Sequence, residues 1–195
     1  MSLIPRRRLG SARAAVARAA ALALTAGLAA VPATATPAHA DDQGTVCMFL
    51  APYEVFGAGH VGWAYKWANG QQWDYGATTG GAHGTFGKKS RWEEHGEWKD
   101  LVDAFKNRHQ ASGGYTQYRC RQTAGHNQAG AIAKVGVLAA QDYNLATNNC
   151  LTDTIQIFKT YDSSGGLNSL DAGRYTRPNE YFKKHLDGFN TAANL

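Results

Sequence analysis

Cys150 is the residue of this chain best placed for nucleophilic chemistry. It follows Tyr143-Asn-Leu-Ala-Thr-Asn-Asn149 and opens the run Leu151-Thr-Asp-Thr-Ile-Gln-Ile-Phe158. Leu151, Ile155 and Phe158 recur at helical spacing, and Ile157 widens the apolar stripe. Asn149 is a favourable N-cap, so a helix is predicted to begin at Cys150. The free N–H groups and positive dipole end of a first turn favour a thiolate over a thiol. A thiolate of this kind needs an imidazole to carry the proton and a polar group to orient the imidazole. His60 is the expected imidazole. It heads a strand-like run in which Gly62 and Ala64, on its own face, are small enough to admit the start of a helix. Asp74, or Gln72 as the alternative, is expected on the neighbouring strand and the same face. Asp74 is the better orienter, because a carboxylate also stabilises imidazolium. The Cys150 amide would help to hold an oxyanion, with Asn144 or Asn149 as a weaker side-chain donor.

The elements that must position these groups are legible in outline. Thr45–Ala51 reads as a buried strand. His60–Lys66 and Gln71–Thr78, joined through Ala68-Asn69-Gly70, read as a hairpin, Asn-Gly between alternating runs being a strong turn signature. Trp63, Trp67 and Trp73 are expected in the sheet core. Thr79–Gly87 is Gly-rich and loop-like. Arg91–Arg108 is charged, carries Trp92 and Trp98, and is predicted to be helical over its second half. Tyr115–Arg121 reads as a strand. Asn127–Gln141 reads as a helix packed through Ile132, Val135, Leu138 and Ala139, and Pro178–His185 as a short one. The expected class is α+β: a small antiparallel sheet with helices on one face.

Composition narrows the setting. Residues 1–40 have the form of an export leader: Arg6-Arg7-Arg8, an Ala/Leu-rich stretch, and Ala38-His39-Ala40 as a cleavage site. Its apolar part, Ala19–Ala30, is shorter than the roughly 20 residues that a membrane span needs. No stable membrane span is expected, and the protein is expected to be secreted. Of the 20 Lys and Arg, five lie in this leader, which leaves 15 basic and 15 acidic residues in the remainder. Nucleic acid, which requires a basic footprint, is therefore not an expected partner. Residues 41–195 have the length of one domain. The three cysteines, Cys47, Cys120 and Cys150, leave one without a partner in an oxidising compartment. Cys47 with Cys120 is the expected pair, since both sit in strand-like runs, although the sequence leaves the other pairings open. His83, His95, His109, His126 and His185 show no metal-ligand spacing and read as surface histidines. No cofactor or metal is expected.

A histidine first, a polar residue on the next strand, and then an Asn-Asn-Cys helix start together resemble the circularly permuted papain-like hydrolases. These include NlpC-type peptidases and the lecithin–retinol acyltransferase group. The resemblance spans most of Thr45–Tyr161, its sharpest parts being Gly59-His-Val-Gly62 and Asn148-Asn-Cys150. It departs from the pattern in a Trp/Glu-rich insertion near 84–110 and in an ambiguous third residue. It implies a papain-like fold, a Cys150–His60–Asp74 site, and thiol chemistry on an amide or ester. Peptide or cell-wall fragments are then the expected substrate. An acyltransferase or esterase of the same fold and a non-enzymatic secreted binding module are the alternatives.

Overall fold

The computed structural model describes residues 43–68, 70–80, 86–109, 114–173 and 177–195, with Phe86 in its backbone alone. The leader, Asn69 and His83 lie outside the described residues. A six-stranded sheet runs in the order β5-β3-β2-β1-β6-β8. Its strands are β1 (Gly44–Ala51), β2 (His60–Lys66), β3 (Trp73–Thr79), β5 (Ser90–Gly96), β6 (Gln117–Thr123) and β8 (Ala193–Asn194). Every pairing in it is antiparallel. A two-stranded ribbon pairs β4 (Phe86–Lys88) with β7 (Asp142–Asn144). The helices are a single turn α1 (Glu54–Gly57), α2 (Trp98–Asp103) continued by a π-helical turn (Ala104–Arg108), α3 (Gln128–Ala139), α4 (Cys150–Tyr161) and α5 (Pro178–Lys184).

Helices cover both faces of the sheet rather than one. Val61, Trp63 and Tyr65 of β2 and Val46, Met48 and Leu50 of β1 face α3, α4 and α5, where Val135, Leu151, Ile155, Phe158 and Tyr181 complete a core. The alternate residues, Cys47, Phe49, Ala64, Tyr75 and Ala77, face Leu101, Ala104 and Phe105 of α2 and its π-turn. The strict alternation along each strand is what allows two separate cores. The Trp/Glu-rich stretch thus covers the second face. Its first half, Ser90–Gly96, is an edge strand that alternating exposure on Arg91 to His95 did not announce as one, and only its second half is helical as expected.

Cys47 and Cys120 are directly opposed across β1 and β6 and form the disulfide, leaving Cys150 free. In α3 the buried residues are Ala131, Val135 and Leu138, while Ile132 is 47% exposed. The small Ala131 lies inward where the sequence pattern favoured the larger side chain. Trp63 and Trp73 are buried as expected, and Trp67, beside the hairpin turn, is half-buried.

Candidate active site

The start of α4 is built as its sequence suggests. The Asn149 side chain accepts from the Leu151 and Thr152 amides at 2.9 and 3.2 Å, and the Thr152 hydroxyl accepts from the Asn149 amide at 2.8 Å. Asn149 Nδ2 donates to the Leu145 carbonyl at 2.8 Å and Asn144 Oδ1 accepts from the Ala146 amide at 2.9 Å, so both asparagines are committed to the turn. Beneath this turn lies a fully buried ion pair. Lys89 Nζ reaches Asp153 Oδ1 and Oδ2 at 2.8 Å and donates to Asn148 Oδ1 at 2.8 Å, with both charged side chains 0% exposed. Burial raises the Asp153 carboxyl above its ordinary range, and Lys89 and Thr78 offset part of that rise. A lysine just outside the ribbon therefore anchors the turn that carries the cysteine.

Cys150 itself is only 3% exposed. The Val61 amide and the Tyr143 hydroxyl face its thiol and favour the ionised form. The Cys150 backbone N–H, the group expected to serve an oxyanion, also lies toward the Tyr143 hydroxyl and favours its ionised form. The expectation of a resting thiolate is corrected by burial. Desolvation pushes the thiol up to about 11, and the amides of Val61 and Leu151 and the Tyr143 hydroxyl only moderate the rise.

The hairpin register decides where the other two predicted residues go. Tyr65 is opposite Asp74, Ala64 opposite Tyr75 and Gly62 opposite Ala77. Asp74 therefore shares a face with Trp63 and Tyr65, not with His60. The expected register was one residue out, and a slip of one exchanges the faces of a strand. Asp74 also sits at the turn end of the hairpin, roughly 17 Å along β3 from the level of His60 at ~3.4 Å per residue. It is enclosed by Trp67, Gln128 and Tyr65, with Gln128 Nε2 donating to Oδ2 at 3.4 Å. Gln72 lies at that end too, its carbonyl accepting from the Trp67 amide. Neither residue orients His60.

His60 begins β2 on the face that carries Gly62 and Ala64, and its ring lies 5.9 Å from that of Tyr115. Its imidazole is 4% exposed, and Nε2 has no hydrogen-bond partner among the described residues. Burial alone lowers it to about 4. The small residues beside it do admit a helical segment, but a different one from that expected. A Cβ on Gly62 would collide with the Phe105 ring of the π-turn. Cys150, by contrast, belongs to the opposite face with Val61. Thiol and imidazole thus reach the same end of β2 from its two sides, with the peptide between His60 and Val61 separating them.

That end of the sheet opens into a cavity of about 420 Å³. His60, Thr79, Tyr115 and Tyr143 line it together with Glu54 and Val55 of α1 and with Trp92, Arg108 and His109. The last three form one wall; Trp92 was expected either to line a cleft or to anchor its helix, and His109 to lie on the surface. His109 stacks on Trp92 at 4.0 Å, and its Nε2 lies 2.6 Å from Glu94 Oε1. Arg108 Nη1 meets Glu94 Oε2 at 2.6 Å, while its Nε donates to Asp103 at 2.9 Å. Burial opposes ionisation of Glu94, yet the bonds from His109 and Arg108 hold its carboxyl below the ordinary range. Tyr143 could have been singled out as the aromatic heading the Asn-Asn-Cys run. Nothing in the local sequence ties His109 to Glu94, because the link spans the fold from β5 to the end of the π-turn. No cluster of His, Cys, Asp and Glu among the described residues is arranged to hold a metal ion.

Comparison of the chain with protein-family models, with curated proteins and with solved structures returns no match.

Proposed function

We propose that this protein is an exported thiol hydrolase that opens an amide bond, with Cys150 as its nucleophile and the cavity beside Tyr143 as its substrate site. The observation that carries the reading is the double engagement of Tyr143. Its hydroxyl faces the Cys150 thiol, and it lines the cavity that His60 also lines. Support also comes from the capped start of α4 and from the resemblance to permuted papain-like hydrolases, which makes cell-wall peptides the substrate class. The thiol rests protonated, so proton removal accompanies attack. In the proposed cycle Sγ bonds to the carbonyl carbon as its proton is relayed through the Tyr143 hydroxyl and across the cavity to His60, both residues lining that cavity. The C–N bond then breaks, the amine leaves with that proton, and water cleaves the thioester to restore the thiol. Asp74 has no part in the cycle.

A second reading has its own observation, the raised thiol. Cys150 would then be a buried apolar side chain beneath the ligand cavity of a binding module. Acetylation by p-nitrophenyl acetate separates the two. The hydrolase reading expects acetyl transfer to Cys150 to be faster in the folded protein than in the urea-unfolded chain at the same pH, followed by turnover on cell-wall peptides or acyl esters. Faster labelling of the unfolded chain selects the binding module and rejects the enzyme.

A further inference from the structure

The turn between β1 and β2 is unusual in both backbone and surface. Val55 and Phe56 are consecutive non-glycine residues in the left-handed region, at φ 50° and 56°. Side chains rarely adopt that region, and a β-branched one least of all. The conformation turns Phe56 fully outward, at 103% of its reference exposure, and Tyr53 beside it is 73% exposed. The turn is firmly held in this state. Asn179 of α5 donates through Nδ2 to the Pro52 and Gly57 carbonyls at 2.8 and 2.7 Å, and its amide donates to the Ala58 carbonyl at 3.0 Å. Gly59, at φ 89°, leaves no room for a Cβ against Asn179. A strained turn pinned from beneath, with its largest apolar side chain in water, contributes nothing visible to packing.

The same surface is basic. Shallow grooves between the turn and α5 are lined by Tyr53, Gly57, Arg177, Lys183 and Lys184. All three cations are exposed, and the acid among them, Glu180, is paired with Lys184 at 3.3 Å. Aromatic side chains projecting past a fringe of lysine and arginine suit the boundary between lipid headgroups and acyl chains. An acidic polysaccharide would engage the cations and leave Phe56 without a partner.

We propose that Tyr53 and Phe56, flanked by Arg177, Lys183 and Lys184, form a peripheral docking surface for an anionic lipid bilayer. The inner side of the same turn, Glu54 and Val55, lines the cavity. Docking would therefore bring the cavity mouth to the headgroup layer. This surface is independent of the thiol chemistry and stands or falls separately from it.

Co-sedimentation of the protein with phosphatidylglycerol vesicles, phosphatidylcholine vesicles and isolated cell-wall sacculi tests the assignment. Each variant is compared with its parent, so any contribution from other parts of the chain cancels. Binding is expected to phosphatidylglycerol in preference to phosphatidylcholine, and to weaken as salt is raised. Replacing both Lys183 and Lys184 by Glu should lower it by at least about twentyfold, at about fivefold for each charge removed. Phe56→Asn should lower it by about fivefold or more, while the thermal midpoint stays level or rises because Asn tolerates the left-handed region. Equal binding to both vesicle types, binding to sacculi alone, no vesicle binding, or variants that bind like their parents would each overturn the proposal. A fall in midpoint for Phe56→Asn would assign Phe56 to folding instead and overturn it too.

Discussion

The two ends of the β2–β3 hairpin set their buried polar groups in different surroundings, enclosed by side chains at one end and beside the cavity at the other. At the turn end, Asp74 is raised by burial, but Trp67, Gln128 and Tyr65 surround its carboxyl and offset part of the rise. At the open end, where the ladder stops at Gly62 and Ala77, His60 is buried with an unpartnered Nε2, and Cys150 sits under Tyr143. Tyr65 Oη and Trp67 Nε1 at the turn end are also buried without a partner among the described residues, so what sets His60 apart is that it lines the cavity. The turn end has the arrangement of a stability element. The open end holds the groups that gain from a ligand.

The sharpest way to break that contrast is to exchange a residue at each end. Cys150→Ala should abolish acetyl transfer and lower turnover by ~10³-fold or more, as loss of a nucleophile does. Asp74→Asn should leave both within about threefold, since Asp74 neither touches the cavity nor shares a face with His60. Acetylation followed by mass analysis reads the first effect and steady-state assays read both. Equal losses would place the two residues in one site and undo the comparison.

A third polar group, the Lys89–Asp153 pair, lies close to the open end yet belongs with the stabilising kind. Lys89→Met leaves a buried carboxylate without its cation and should cost about 3–5 kcal/mol in urea unfolding. Restoring neutrality with Asp153→Leu in the same chain should recover most of that loss. If the double variant is no more stable than the single one, the pair has a role beyond mutual neutralisation.

Acid unfolding probes His60 directly. Its folded value of about 4 lies below the ordinary 6.5, so between those values the unfolded chain binds the proton and the folded one does not. His60 therefore contributes full stability above pH 6.5, and that contribution is lost as pH falls toward 4. The loss is about 3 kcal/mol at 1.36 kcal/mol per pH unit. Asp74 and Asp153, raised by burial, act in the opposite sense in the acid range. The difference between wild type and His60→Phe isolates the histidine. Parallel stability curves across pH 4–6.5 would show that His60 has a proton-binding partner in the folded state.

Much of this contrast was hidden from the sequence for one physical reason. Element identity follows from local periodicity, and β1, β2, β3, β6 and the Cys150 helix with its Asn149 cap could be read from it, whereas β4, β5, β7 and β8 could not. The Cys47–Cys120 pair was the favoured one of three pairings left open. Which face a residue joins depends on register, and register depends on a loop whose length admits more than one pairing. Gln72 and Asp74 were assigned to the wrong side by a single residue. Thiol ionisation was misjudged for a related reason. A helix N-terminus favours thiolate, but burial of Cys150 beneath Tyr143 is a tertiary fact, and here it dominates. The His109–Glu94 link and the left-handed pair at Val55 and Phe56 are likewise products of assembly that no local pattern encodes.

The smallest expected effect concerns the glycine that lets the second core reach the open end. Phe105 stacks on Phe49 at 4.0 Å and packs edge-on against Trp92 and Tyr115 at 4.9 and 4.8 Å. A methyl group at Gly62 would meet that ring and the Gly76 carbonyl, so either Phe105 or the strand pair must shift. Gly62→Ala should cost about 1–3 kcal/mol, the usual range for overpacking, despite the intrinsic gain from removing a strand glycine. Trp92 and Tyr115 line the cavity with His60, so the displacement should alter substrate affinity while Cys150 acetylation stays within about twofold. KM rising with the acetylation rate unchanged would locate the Trp92–Phe105 wall on the binding side of the cavity. A matching fall in acetylation would show that the two faces of β2 are mechanically coupled at Val61, the residue whose amide faces the thiol.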